Sequence, residues 1–167
     1  WFMWFLCWLV CGFVVCALVA ERVPLKRLPA WTLLSPARYL WLVPLTMVPQ
    51  SYMGLYFRSF GPDTSFGLLP LPHVLLFYAL FFGFGALYFT CGDEDGRLGK
   101  YWRFELPFGL LVVFPLGLEF STGAFGFAAD WLAEDDARLV AVGLQAAFAW
   151  LLSFALMGAF RDYLSST

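Results

Sequence analysis

Residues 138–160 read RLVAVGLQAAFAWLLSFALMGAF, an apolar run that contains Gln145 but no charge between its ends. A helix needs about 20 apolar residues to cross a hydrocarbon core about 30 Å thick, and this run has that length. Its residues are apolar on every face and do not alternate, which excludes the pattern of a membrane barrel strand. Only a helix satisfies the backbone of such a segment in lipid. The run therefore predicts a membrane-spanning helix.

Four other runs have the same character, at about 1–20, 39–57, 73–91 and 104–120. The composition agrees with them, since 62% of the 167 residues are hydrophobic and only 13% are charged. Soluble domains are about 45–50% apolar and about 25% charged. The sequence predicts an all-α fold, a polytopic transmembrane bundle of about five spanning helices in contact with a lipid bilayer. Because Trp1 stands inside an apolar run, we expect the chain to be an internal fragment of a longer protein.

Prolines interrupt the second run. Pro44 and Pro49 each lack an N–H and crowd the preceding helical turn. Lipid cannot satisfy the carbonyl groups that they leave without a donor. We therefore predict that this span is broken near 44–49 and shielded from lipid by its neighbours. Pro115 is expected to disturb the fourth span in the same way.

The basic residues predict the orientation. Eight of the ten lie in the first and third connections or in the C-terminal tail, and only Arg58 and Arg138 lie in the other two connections. Lys and Arg favour cytoplasmic loops. We therefore expect the N-terminus outside and the C-terminus in the cytoplasm.

Soluble-enzyme motifs, zinc-ligand spacings and phosphate-binding loops are absent from the sequence. We expect no metal site, and the thiols are expected to pack as small buried hydrophobic groups; they are Cys7, Cys11, Cys16 and Cys91. The net charge of −2, with no basic aromatic patch, gives no indication of nucleic-acid binding. Glu105 and Glu119 flank the fourth span, where boundary residues are expected and a functional role is the alternative.

A polar cluster lies in the second connection, on the predicted outer side. It contains Arg58, Asp63, Thr64, Ser65 and His73. These side chains offer a cation, a carboxylate, hydroxyl groups and an imidazole, which suit a polar exported substrate. We predict Arg58, Asp63, Ser65 and His73 as substrate-binding residues. In the alternative interpretation Arg58 snorkels to the membrane surface, Asp63 starts a turn and His73 caps a helix.

Several segments of the chain resemble the membrane acyltransferases of family 3. They are the opening WFMWFL, the GPDTS segment at 61–65 with Pro72-His73, FFGFGALY at 81–88 and GRLGKYWR at 96–103. Within the family the resemblance is to the bacterial branch that modifies periplasmic glucans. It implies a multi-pass protein of the bacterial inner membrane that transfers an acyl group from a cytoplasmic donor, typically acyl-coenzyme A, to an exported carbohydrate.

The catalytic residue of that family has no match in this chain. The family places a basic residue eleven positions before a catalytic histidine, whereas Pro62 stands eleven positions before His73. The resemblance therefore implies that the catalytic histidine lies upstream of Trp1. It also implies that the fragment alone is inactive, and that acyl-coenzyme A is a co-substrate, with no bound cofactor.

Two other functions fit the sequence. A transporter or flippase subunit is suggested by the interrupted spans and the outer polar cluster, and it would be favoured by a charge within a span. A non-catalytic membrane scaffold is the third possibility.

Overall fold

The structure is a computed structural model that describes residues 2–22, 29–54, 59–64, 69–93, 95–127 and 132–164. Within these ranges all regular structure is helical, as predicted. The elements in chain order are α1 (Phe2–Arg22), α2 (Ala30–Leu34), α3 (Arg38–Gln50), α4 (Pro72–Cys91), a 3₁₀ turn (Arg97–Gly99), α5 (Trp102–Phe108), a π-helical turn (Gly109–Val113), α6 (Phe114–Thr122) and α7 (Glu134–Leu164).

Three helical segments among the described residues are long and apolar enough to cross a membrane. They are Pro72–Cys91, Trp102–Thr122 and Glu134–Leu164. The apolar stretch Met3–Val19 of α1 is shorter, so the structure shows three candidate spans and five stays a prediction.

The predicted span 39–57 is wrong in its extent. α3 has 13 residues, too few to cross the membrane alone. It continues through Pro44 and ends one residue after Pro49, so the chain is not broken at the first proline. Turns and bends follow as far as Gly54, whose φ of 67° is the left-handed conformation that favours glycine.

The shielding of α3 is confined to one face. Arg38, Leu42 and Thr46 are spaced by four residues, and all three are buried. On the opposite face Leu40 is 80% exposed and Val48 is 55% exposed. The helix therefore lies at the side of the bundle, with one face on protein and one open to its surroundings.

α7 is the central helix and packs against α3, α5 and α6. At its middle, Trp150 stacks on Phe81 of α4, with 4.1 Å between the ring centroids. The Trp150 indole N–H also donates a hydrogen bond to Thr46 Oγ of α3, at 2.8 Å. This one aromatic side chain therefore joins three helices, in a core completed by Leu33, Leu42, Phe84, Leu98 and Phe154.

α1 lies at the periphery, against α4. Its Phe5 and Phe13 make edge contacts with Tyr78 and Phe82, at 5.7 Å between ring centroids in each pair. The expectation of buried thiols on this helix is wrong, because Cys7, Cys11 and Cys16 are all exposed.

Side-chain contacts show which ends of the helices lie together. Gln50 of α3 meets Gln145 near the start of α7, and Trp102 of α5 meets Asp162 near its end. α3, α5 and α6 are thus antiparallel to α7, and one end of the bundle collects most of the described cations: Arg22, Arg38, Arg97, Lys100, Arg103 and Arg161. We call this the basic end. Arg138 is the described cation at the opposite end.

Pro115 was expected to disturb the fourth span, and a π-helical turn at Gly109–Val113 lies just before it. The Phe114 N–H donates to the Gly109 carbonyl, five residues earlier, instead of following the α-helical pattern. A proline ring in a regular α-helix clashes with the carbonyl four residues before it. The wider turn moves that carbonyl, so the helix continues to Thr122.

Candidate functional site

Four segments of the chain meet at Gln145, at the end opposite the basic end. Gln145 Oε1 accepts hydrogen bonds from the Gln50 amide at 2.7 Å and from the Gly61 N–H at 3.3 Å. Its own Nε2 donates to Ser121 Oγ at 2.8 Å. A backbone N–H can only donate, so Gly61 assigns which atom of the Gln145 amide is the oxygen. The direction of this hydrogen-bond chain is therefore determined.

A cavity of about 260 Å³ opens beside this amide, and we call it the Gln145 pocket. Its polar lining combines an amide, two hydroxyl groups, a carboxylate and a guanidinium, from Gln145, Ser59, Ser121, Glu134 and Arg138. Its apolar lining includes Met53, Phe120 and Val142. The Arg138 guanidinium also donates to the Ser51 carbonyl at 2.7 Å, which joins α7 to the end of α3.

Two of the four predicted substrate-binding residues lie in the described part of the chain, and one of them contacts a lining residue of this pocket. Asp63 Oδ2 accepts a hydrogen bond from the N–H of Gly54, a lining residue, at 3.0 Å. His73 follows the first residue of α4 and lies against Tyr52, with 6.3 Å between the rings. Asp63 therefore lies just behind the pocket wall, while Arg58 and Ser65 lie outside the described residues.

Phe60 attaches the segment 59–64 to the bundle. Its ring packs edge-on against Phe114, at 5.2 Å between centroids, and lies on Gly117, where an added Cβ would be 2.6 Å from the ring. The apolar residues just before α4 are less well covered than Phe60, since Leu69 is 73% exposed and Leu71 is 46% exposed.

Glu119 has a local structural role near the same end. Its buried Oε2 accepts hydrogen bonds from the N–H groups of Phe125 and Gly126, at 2.6 and 3.0 Å. The carboxylate thus holds the loop that follows α6. This agrees with the interpretation of Glu119 as a boundary residue.

The basic end contains a buried ion pair that the sequence did not predict. Arg38 is fully buried, and its Nη2 lies 3.4 Å from Glu105 Oε1. Tyr39 donates its hydroxyl hydrogen to the same oxygen at 2.9 Å. The Arg38 guanidinium also donates to the Leu98 carbonyl at 2.9 Å and lies 4.4 Å from the centre of the Phe154 ring. Arg38 thereby connects α3 to α5, α7 and the 3₁₀ turn.

Asp93 organises the turn that Arg38 contacts. Its two carboxylate oxygens accept the N–H groups of Arg97 and Leu98, each at 3.0 Å, and Oδ2 also accepts the Tyr88 hydroxyl at 3.1 Å. Partial burial raises the pKa of Asp93, but these hydrogen bonds to the charged form outweigh it and hold the pKa below its usual value. Asp93 is therefore charged at neutral pH.

A second cavity, of about 440 Å³, lies against this turn, and we call it the Arg161 pocket. Its lining consists of Asp95, Gly96, Arg97, Gly99, Lys100, Trp102, Gly158, Arg161 and Asp162. Gly99 and Gly158 touch backbone to backbone, so side chains are excluded from both positions. The pocket is open and carries three cations and two carboxylates.

Within the described ranges, no group of three His, Cys, Asp or Glu side chains could hold a metal ion. Comparison with models of protein families found no match, and neither did comparison with curated proteins or with solved structures.

Proposed function

We propose that this chain is part of an integral membrane acyltransferase, which transfers an acyl group from a cytoplasmic donor such as acyl-coenzyme A to an exported glycan. The observation that carries the proposal is the Gln145 pocket. It offers amide, hydroxyl and charged groups on helices joined by hydrogen bonds, at the end of the bundle that holds one described cation. In the proposed bacterial inner membrane, with five spans and the N-terminus outside, this end faces outward, where an exported acceptor is found.

The chemistry of the pocket supports a carbohydrate acceptor. Sugar hydroxyl groups both donate and accept hydrogen bonds, and the pocket presents both kinds of partner. Gln145 is already held by three partners, so a sugar would meet a preformed amide rather than order a mobile one. Phe120 and Met53 add apolar surface for the faces of a sugar ring. Asp63, behind the wall at Gly54, positions the lining instead of touching the acceptor.

In this proposal, the role of the chain's own residues is to bind and orient the acceptor. The histidine that would take the proton from the acceptor hydroxyl is expected upstream of Trp1. The full-length protein is therefore the object to test.

Replacement of Gln145 by Leu tests this function. The variant keeps the approximate volume and removes the amide, whose second Nε2 hydrogen is the group left for a ligand, so acylation of the exported glycan should fall about 3- to 10-fold, the effect of losing one neutral hydrogen bond. Mass spectrometry of the glycan, at equal protein levels in the membrane, measures this. Ser153→Ala is the matched control on the same helix, because the Ser153 hydroxyl donates to the Ala149 carbonyl one turn earlier in α7. Equal acylation in Gln145→Leu and Ser153→Ala would reject the proposal.

A transporter or flippase subunit is the second candidate function, and the buried pair of Arg38 and Glu105 favours it. Ionisable groups inside membrane helices often mark transport pathways. Glu105→Gln should abolish lipid-linked substrate movement in proteoliposomes if the pair carries transport. Glycan acylation with no such movement would support the acyltransferase instead.

A further inference from the structure

The helical stretch 102–122 makes a polar contact with the bundle near each of its ends. Glu105 meets Arg38 at the basic end, and Ser121 accepts a hydrogen bond from the Gln145 amide at the opposite end. Between Glu105 and Ser121, every fourth residue is buried, and these residues are Gly109, Val113 and Gly117. One face of the stretch therefore runs from the ion pair to the Gln145 pocket.

The two glycines show that this face is turned towards α7 along its length. An added Cβ at Gly109 would be 3.8 Å from Leu151 Cβ, and an added Cβ at Gly117 would be 3.5 Å from Leu144 Cβ. Leu111, between the glycines, is 75% exposed. The stretch thus keeps the same side against α7 before and after the π-helical turn.

A regular α-helix could not keep this face. With 3.6 residues per turn, every fourth residue is displaced by about 40° around the helix, so Glu105 and Ser121 would lie about 160° apart. The π-helical turn holds one residue more than an α-helical turn, which takes back about 100°. The two side chains then lie about 60° apart, and both can face the bundle. The turn sets the register that both polar contacts need.

Pro115 favours this turn over a regular helix. In an α-helix its ring would clash with the Leu111 carbonyl, four residues earlier, and the wider turn removes that clash. Replacement of the proline would make the regular helix accessible, and only one of the two polar contacts could then be kept. The buried ion pair is the more costly of the two to break.

We propose that Pro115 is a positioning residue for the Gln145 pocket. It favours the π-helical turn, and the turn keeps Ser121 directed at Gln145 while Glu105 stays at Arg38. Without the proline, residues 114–122 rotate by about 100° and the Ser121 hydroxyl leaves the pocket. This positioning holds whatever the pocket binds, whereas its effect on acylation rests on the proposed function.

Disulfide formation at the two glycines tests the proposal in the full-length protein. Gly109→Cys with Leu151→Cys reports the register at the start of the π-helical turn, and Gly117→Cys with Leu144→Cys reports it beyond the turn. Cβ separations of 3.8 and 3.5 Å suit a disulfide. The native cysteines are replaced by serine. Phe60→Leu removes the ring atoms that a Cβ at position 117 would overlap.

Protein that retains Pro115 should form both disulfides. Pro115→Ala should keep the first and slow the second about 10-fold or more, because the rotation takes position 117 out of disulfide range. Deletion of Leu111 together with Pro115→Ala should restore the second, because a regular helix with one residue fewer has the register of the π-helical turn. Pro107→Ala is the matched control, since Pro107 lies in α5, before the turn, and should leave both disulfides unchanged.

The first disulfide reports that each variant is folded. Equal rates for the second disulfide in Pro115→Ala and Pro107→Ala would overturn the proposal, and so would a Leu111 deletion that does not restore it. Loss of the first disulfide in Pro115→Ala, or absence of the second in protein that retains Pro115, would also overturn it.

Glycan acylation, measured without the added cysteines, separates this proposal from the proposed function. Acylation that falls in Pro115→Ala and returns with the Leu111 deletion would support both. The expected disulfides with unchanged acylation would uphold the positioning by Pro115 and reject the Gln145 pocket as the acceptor site.

Discussion

The two ends of the bundle join the same helices, but they do so with different chemistry. Each joins α3 to α7 and to the helix 102–122 through buried or half-buried polar side chains. At one end the connection is the neutral chain from Gln50 through Gln145 to Ser121, and at the other it is the ion pair of Arg38 with Glu105. The difference decides which connection a ligand could rearrange.

The charged connection tolerates the loss of a partner less well than the neutral one. Arg38 Nε and Glu105 Oε2 are buried and have no hydrogen-bond partner among the described residues. A charge in a low-dielectric interior depends strongly on each partner, whereas a neutral amide exchanges one partner for another at small cost. The ion pair thus suits a fixed structural joint, and the amide chain suits a site where hydroxyl groups of a ligand enter.

Glu105→Ala should have the largest effect on stability. It leaves the Arg38 guanidinium buried without its counter-charge, which costs about 3–5 kcal/mol. Gln145→Ala, at the neutral connection, should cost about 1–2 kcal/mol. Unfolding in detergent measures both. Similar losses in the two variants would remove the distinction between the ends. Arg103→Gln is the control for charge alone, because its contact with Asp162 is exposed and contributes below about 1 kcal/mol.

Gly158→Ala should have an intermediate effect that is specific to the basic end. An added Cβ would overlap the Gly99 carbonyl and lie 2.8 Å from Trp102 Cβ, so α7 and the turn must separate. Overpacking of this kind costs about 1–3 kcal/mol. Gly83→Ala on α4 is the matched control, because no described atom outside its own helical backbone lies within 4 Å of its added Cβ. That variant should be neutral or slightly stabilising, and a loss equal to that of Gly158→Ala would contradict the close approach.

The smallest expected effect is the pH dependence that Asp93 adds. Its pKa is lowered in the folded protein, so its stabilising contribution is present above the unfolded pKa of about 3.9 and is lost as pH falls through the folded pKa. Asp93→Asn should therefore reduce the melting temperature at pH 6, and the difference from wild type should begin to shrink below about pH 4 and vanish once the pH is below the folded pKa. Asp95→Asn is the matched control in the same turn, because it removes a carboxylate of an exposed pair and should change the melting temperature little. Parallel melting curves for Asp93→Asn and wild type at every pH would count against the role of Asp93.

The candidate sites were predictable only in part. The second connection was predicted as a polar site, and Asp63 does lie behind the Gln145 pocket. Gln145 was visible as a polar residue inside an apolar run, which is the signal that could have identified it. Arg38 carried no such signal, because a cation at the start of an apolar run has the pattern of a snorkelling boundary residue.

Local sequence by itself determined the helical class and the three long apolar helical segments that could cross a membrane. Hydrophobic length and the need to satisfy the backbone in lipid are properties of each segment alone. Tertiary structure decided the polar contacts, since the partner of Arg38 is 67 positions away and that of Gln50 is 95. Which polar groups become buried depends on how helices from distant parts of the chain pack, and no single segment contains that information.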